Sequence, residues 1–169
     1  MNLKINLGGG NKKINGYKNI DKIKNNNVDI VHDLNIFPYP FENDSISEII
    51  ADNVFEHLDD LVKVLEEIYR ICKNNAIIKI FVPYFKSTGA FTDITHKHFF
   101  SEKSFDFLND NHEYKYYTKS KFKVIEKKLI TKKFSNKHII RDFLPYKKFF
   151  NYFIFNIYDE IYFELKCIK

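Results

Sequence analysis

The chain has 169 residues, the size of one compact domain rather than two. With 44% hydrophobic and 29% charged residues it can bury a core, which excludes the low-hydrophobicity, high-charge class that stays disordered. The net charge of +5 is local: residues 1–100 carry 12 basic and 13 acidic side chains, whereas residues 115–148 carry 12 basic ones against Glu126 and Asp142.

Leu3-Lys4-Ile5-Asn6-Leu7 alternates with a period of two and runs into Gly8-Gly9-Gly10, the pattern of a strand leaving through a glycine turn. Tyr17 to Ile20, closing on Asp21, reads as a second strand; Asp29 to His32, closing on Asp33, as a third; Ser47 to Ala51, closing on Asp52, as a fourth. Run in parallel, these strands line up their terminal carboxylates as one acidic rim. The nine residues from Gly8 to Gly16 are fewer than the dozen or so a helical crossover takes, so a turn or a single helical turn is expected there. Phe37-Pro38-Tyr39-Pro40-Phe41 is a loop, because each proline removes a donor and restricts its predecessor.

From Asp59 to Lys73 the period becomes helical, with Leu61, Leu65, Ile68 and Cys72 on one face and Glu66 facing Arg70; Asn74-Asn75 is the expected stop. Ala76 to Val82 is almost wholly apolar, as in a strand covered on both sides, and Pro83 ends it. Ser101 to Leu108 predicts a short capped helix, and Phe122 to Ile130 a strand with a bulge. Phe143 to Tyr158 carries aromatics on every helical face, as core or as a lid, with peripheral membrane contact as the sharper alternative; Ile161 to Ile168 alternates as a half-buried strand. No stretch has the roughly 20 clean apolar residues of a spanning helix. Cys72 and Cys167, far apart and inside apolar patterns, read as buried free thiols. The first eight residues reach the glycine turn too soon for a signal peptide, so a cytoplasmic location is expected.

A glycine turn after a first strand lets backbone approach a ligand, and a carboxylate ending the second strand can accept two hydrogen bonds from a ribose diol. Gly8-Gly9-Gly10 with Asp21 therefore point to a nucleoside-bearing ligand. The ordered series L-K-I-N-L-G-G-G-N-K-K-I-N-G-Y-K-N-I-D, V-H-D-L, F-P-Y-P-F-E-N-D-S-I-S-E-I, E-H-L, L-E-E-I-Y-R-I-C-K and I-I-K-I-F-V-P, over residues 3 to about 108, resembles the class I S-adenosylmethionine-dependent methyltransferases of the type 11 kind.

The resemblance implies an α/β fold, a Rossmann-like doubly wound sheet, mostly parallel with an antiparallel C-terminal strand, in a single domain over 1–169. Residues 1–100 would then form the cofactor-binding half and 101–169 the acceptor side. It implies S-adenosyl-L-methionine as cofactor, with Gly8, Gly9 and Gly10 along its methionine part, Asp21 on the ribose, Asp33 and Leu34 beside the adenine, and Asp52 and Asn53 bordering the reacting methyl. The Asp93-x-Thr95-His96-x-His98 segment is similar to a loop of the same family.

Methyl transfer needs a base only when the acceptor must lose a proton, and histidine titrates in the right range. His96, His98 and His57 are the candidates; Glu56 is expected to cap or orient. Asp93, His96 and His98 offer metal-ligand types, but i,i+2 spacing without cysteine partners predicts no metal site. The expected acceptor is a small molecule or glycan. A nucleic-acid substrate using the basic run 115–148 ranks second, since no N-P-P-Y-like sequence follows the fourth strand, and a non-catalytic interaction module third.

Overall fold

The structure, a computed structural model, describes residues 2–109, 111–132, 141 and 144–169. Seven strands form one sheet: β1 (Leu3–Leu7), β2 (Lys18–Asp21), β3 (Ile30–Val31), β4 (Ile46–Asp52), β5 (Cys72–Pro83), β6 (Phe122–Ile130) and β7 (Glu160–Cys167). Their order is β3-β2-β1-β4-β5-β7-β6. The first five pair in parallel, and β7 enters antiparallel between β5 and β6. The expected fold class is thus found. The strand order reverses at β1 and β4, so the crevice beyond their carboxyl ends is the natural ligand site of such a sheet.

Right-handed crossovers put the β1→β2→β3 connections on one face and β3→β4→β5 on the other. Helix α1 (Leu61–Ile71) belongs to the second group and buries Val64, Leu65, Ile68 and Ile71 against the sheet. Each such side chain is worth about 2 kcal/mol on burial. Asp60 caps it, its carboxylate accepting from the Lys63 amide at 3.0 Å. Ile5, Ile49, Ile78, Ile80, Phe163 and Leu165 are fully buried in the same core, and Phe105 packs edge-on to Phe55 and Phe163.

The helix is shorter than its pattern predicts. Cys72 still donates its amide to the Ile68 carbonyl, but its ψ of 141° is extended and it already pairs with Ile46. The chain thus passes from helix to strand with no intervening loop, and Asn75, with φ +66°, lies inside β5 rather than ending the helix. Arg70 pairs with Glu67, one of its guanidinium nitrogens 2.5 Å from the carboxylate, and not with Glu66, which accepts from Thr118 Oγ1 at 3.1 Å. Cys72 and Cys167 are buried free thiols, and burial pushes Cys167 up to about 11.

On the other face the short connections form no helix among the described residues; Gly8 to Gly16 runs as turns, as nine residues require. Tyr17 lies there with a charged cluster on the strands. The Glu48 carboxylate accepts from Tyr17 Oη at 2.6 Å and Lys79 Nζ at 2.5 Å, and Lys4 Nζ lies 2.7 Å away. Burial alone would raise the Glu48 pKa, but hydrogen bonds from Lys4, Lys79 and Tyr17 outweigh it and hold it at about 2. Because the folded value lies below the unfolded one, this stabilisation is complete above about pH 4.5 and is lost as pH falls toward 2. Glu48→Gln is expected to lower stability at pH 7 by about 2 kcal/mol and to flatten the acid limb of a pH-dependent melting series over that window. An unchanged acid limb would show that Glu48 plays no such part.

The bulge in β6 is present: the register slips between Val124 and Glu126, leaving Ile125 unpaired and half-exposed. Residues 101–108 are turns ending in a 3₁₀ turn, Asp106–Leu108, rather than a full helix. The aromatic segment is not a core helix either. Among its described residues there is a single helical turn, Lys147–Phe150, after which Tyr152, Phe153 and Phe155 face solvent while Asn151 and Ile157 turn inward. Phe143 and, of the twelve basic residues in the run, Lys133 and Lys137 lie outside the described residues. Within them, Lys127 pairs with Asp106, Lys132 with Glu160 and Arg141 with Asp159, and Lys115 Nζ donates to the carbonyls of Leu108 and Ser120.

Candidate functional site

Two cavities open at the carboxyl ends of the strands. The smaller, about 590 Å³, is lined by Gly8, Asp21, Asp33, Leu34, Asn53, Val54 and His57 among others. The larger, about 960 Å³, is lined by Glu56, Asp93, His96, Arg141, Asp159 and Glu160 among others. Asn53 and His57 line both, so the two cavities meet there. Both volumes lie within the roughly 300–1,000 Å³ of ordinary small-ligand sites.

The glycine turn shapes the smaller cavity. Gly8 has φ +61°, and a Cβ on it would lie 2.5 Å from Val54 Cγ2, so a side chain would fill the floor of the cleft. Gly10 donates its amide to Asp21 Oδ2 at 2.9 Å, and Ile23 donates to Oδ1 at 2.9 Å. The Asp21 carboxylate is therefore fixed at the end of β2 with one acceptor site left on each oxygen. Asp33 lies two residues past β3, with Oδ1 accepting from the Asn35 amide, and Leu34 is held by its carbonyl's bond from Tyr39 Oη at 2.9 Å. A cleft with a fixed carboxylate able to accept from a diol, a glycine backbone at its floor and an apolar side wall fits an adenosyl ligand.

Of the residues singled out from sequence, Gly8, Asp21, Asp33, Leu34 and Asn53 come together here. Gly9, Gly10 and Asp52 do not line the cleft. A Cβ on Gly9 would lie 1.6 Å from Asn19 Oδ1, which places that residue against the buried Asn6–Asn19 pair. Asp52 forms an ion pair with Lys12, joining the glycine turn to β4. Asn53, at φ +55°, donates to Asp52 Oδ1 at 2.9 Å and Glu160 Oε1 at 3.0 Å.

A 3₁₀ turn, Phe55–His57, follows β4 and carries Glu56 and His57. The Glu56 carbonyl accepts from the amides of Lys97 and His98 at 2.7 and 3.3 Å, which docks the 93–98 loop onto this turn. As a result His57 and His96 meet edge to face, their ring centroids 4.8 Å apart. His57 Nδ1 lies 2.9 Å from Thr95 Oγ1, which donates to Asp93 Oδ1 at 2.7 Å; His96 Nδ1 lies 2.9 Å from the Ala90 carbonyl. In both rings Nδ1 is therefore the donor, and Nε2 keeps its lone pair. Burial, then the neighbouring His96, lowers the His57 pKa, which favours the neutral ring.

His98 stands apart. Its Nε2 lies 2.9 Å from the Leu58 carbonyl, and it lines neither of these two cavities. Glu56 takes its place beside the other two histidines. It is 1% exposed, and neither carboxylate oxygen has a hydrogen-bond partner. Burial pushes its carboxyl up to about 7; its own backbone amide pulls the other way, and the charges of Glu160, Asp52 and Asp93 add to the rise. Glu56 is adjacent to His57 in the sequence, but nothing there marks it as unpartnered. Arg141, Asp159 and Glu160 carry no sequence signal either, since they reach the cavity from the far end of the antiparallel strands.

A family model described as a methyltransferase domain matches residues 16–80. Among curated proteins, no sequence matches the chain significantly. Among solved structures, it is similar to the methyltransferase complexed with the Haloferax volcanii Trm112 methyltransferase activator, at 14% identity and a TM-score of 0.65, covering 99% of this chain and 83% of that one. It is also similar to an S-adenosylmethionine-dependent methyltransferase from Archaeoglobus fulgidus, at 15% identity and a TM-score of 0.62, covering 98% and 86%. A third is Haemonchus contortus phosphoethanolamine N-methyltransferase 2 with S-adenosyl-L-methionine bound, at 14% identity and a TM-score of 0.51, covering 100% and 50%. At these identities the structural likeness speaks for the fold. The family model over residues 16–80 is that of a methyltransferase domain, and the fold of the described residues is the one these S-adenosylmethionine-dependent methyltransferases share.

Proposed function

We propose that the protein methylates a small-molecule or glycan-type acceptor held in the larger cavity, with the cofactor in the smaller one. The observation that carries this reading is the meeting of the two cavities at Asn53 and His57. When bound, the sulfonium cofactor supplies the activated methyl group. The protein's part is then to hold an acceptor atom in line at about 3 Å and to keep water out. In this reading Asp21 holds the ribose hydroxyls, Asp33 and Leu34 flank the adenine, and Gly8 admits the ligand against the backbone. The Nε2 lone pairs of His57 and His96 stand ready to take a proton from an attacking hydroxyl or amine. His98, bonded to Leu58, positions the loop. The cofactor cleft is built from residues before 100, whereas the acceptor side draws on both parts of the chain, with Glu56, His57, Asp93 and His96 facing Lys132, Arg141, Asp159 and Glu160.

A polar acceptor suits this lining, which offers carboxylates, a guanidinium and imidazoles together. A nucleic-acid substrate is less favoured, because four cations of the basic run are engaged within the fold rather than forming a free phosphate track. Calorimetry with S-adenosylhomocysteine is expected to show binding in the micromolar range, about −8 kcal/mol. Incubation of an extract with methyl-labelled cofactor should then place label in the small-molecule or glycan fraction, separated from intact nucleic acid. No cofactor binding would overturn the assignment of the cleft; label found in nucleic acid alone would overturn the acceptor class.

A further inference from the structure

We propose that Glu56, His57 and His96 form a three-ligand site for a divalent transition metal of the Zn²⁺ type, with its open position facing the larger cavity. One ligand atom from each residue can be chosen so that all lie within 4.8 Å of one another. A tetrahedral ion with bonds of ~2.1 Å separates its ligands by ~3.4 Å, so side-chain shifts of about 1 Å close the site. Two His and one Glu leaving a fourth position open is a ligand set that Zn²⁺ uses where it also binds a substrate or water.

Three independent features of these residues point to a ligand. First, Glu56 is a carboxylate 1% exposed with no partner on either oxygen. An unpaired group of this kind costs several kcal/mol, and a bound cation removes that cost. Second, both imidazoles are oriented through Nδ1, His96 by the Ala90 carbonyl and His57 by the Thr95–Asp93 relay. This is how metal-binding histidines are held, with the far ring nitrogen tied to a carbonyl or a hydrogen-bonded carboxylate and Nε2 left for the ion, so the base role of His57 and His96 belongs to the ion-free protein. Third, the two imidazoles come from separate segments and meet with their ring centroids 4.8 Å apart, close enough to share one cation.

The two elements that bring the set together are joined by backbone, through the Lys97 and His98 amides on the Glu56 carbonyl. Together with the proposed acceptor role of the larger cavity, the open position selects an acceptor that offers the metal an oxygen, from a hydroxyl or a carboxylate.

The test is titration of the metal-stripped protein with Co²⁺, without cofactor or acceptor. The visible bands of four- or five-coordinate Co²⁺ should saturate at one ion per chain, and Zn²⁺ should displace it. Glu56→Gln and His96→Ala should each weaken Co²⁺ at least about tenfold, and Thr95→Ala, which breaks the relay to His57, about tenfold. Glu56 and His96 do not line the cofactor cleft, so S-adenosylhomocysteine binding by these two variants reports their folding and should stay near wild type. Absence of a stoichiometric Co²⁺ spectrum overturns the site. So does a spectrum that survives both Glu56→Gln and His96→Ala, which would assign the ion to other histidines. Either result leaves the methyltransferase reading standing, because cofactor binding is measured separately.

Discussion

Asp21→Ala is expected to weaken S-adenosylhomocysteine binding at least about 100-fold, because it removes two charge-assisted hydrogen bonds at ~1.5–3 kcal/mol each from a group already fixed in place. The Gly10 and Ile23 amides each bond a different oxygen of the carboxylate, so its plane is set before any ligand arrives. Little ordering cost is then left for the complex to meet, and most of the hydrogen-bond energy appears as affinity. Asp21→Asn keeps one acceptor oxygen and should lose about tenfold. Both variants also release one or two backbone amides at an exposed turn, where water replaces the lost partner, so their melting temperatures should fall by a few degrees at most. The reading fails if calorimetry finds Asp21→Ala within about threefold of wild type while the protein remains folded.

The parallel half of the fold was legible because its strands obey simple rules. β1 alternates, β5 is a nearly continuous apolar run, and acidic residues follow the strand ends. Asp21 and Asp33 could be placed on the ligand rim without coordinates, since the end of a parallel strand in such a sheet is a position with a known outlook. What failed to show was anything that depends on where a loop docks. His96 lies 39 residues after His57, and their rings meet because the 93–98 loop docks on the 55–59 segment, through the two amide bonds to the Glu56 carbonyl and the Thr95–His57 bond. The same docking turns His98 away toward Leu58, so two histidines two residues apart end with different surroundings. Glu56 read as an orienting residue because burial without a partner leaves no mark in sequence. The helix end was misplaced for a related reason: propensity favours continuing through Cys72, but pairing with Ile46 captures that residue for β5.

Gly9 shows how a correct motif can carry a different reason. Its place in the glycine run suggests a ligand contact, yet its backbone faces the buried amides of Asn6 and Asn19. Asn6 Nδ2 donates to Asn19 Oδ1 at 2.9 Å and to the Lys12 carbonyl at 3.1 Å, while Asn19 Nδ2 donates to the carbonyls of Gly10 and Asn27 at 3.2 and 2.9 Å. This network replaces the missing helix between β1 and β2 as the fastening of that connection. A methyl on Gly9 would sit 1.6 Å from Asn19 Oδ1 and 2.4 Å from Asn6 Nδ2. Neither side chain can yield without breaking hydrogen bonds, and Asn19 is wholly buried.

Gly9→Ala should therefore destabilise the fold by about 3 kcal/mol, from one or more buried amides left unpaired plus displacement of the turn. For a chain of this size that is a fall in melting temperature of about 10 °C. The φ of Gly9 is not in the left-handed region, so the effect would come from the contact and not from backbone strain. A mutant cycle separates the two: trimming both opposing side chains in Asn6→Ala/Asn19→Ala makes room for the new methyl, so Gly9→Ala should cost about 1 kcal/mol or less in that background. Equal costs in both backgrounds would refute the packing account. So would a Gly9→Ala protein of wild-type stability that had lost its cofactor affinity, which would return Gly9 to the ligand.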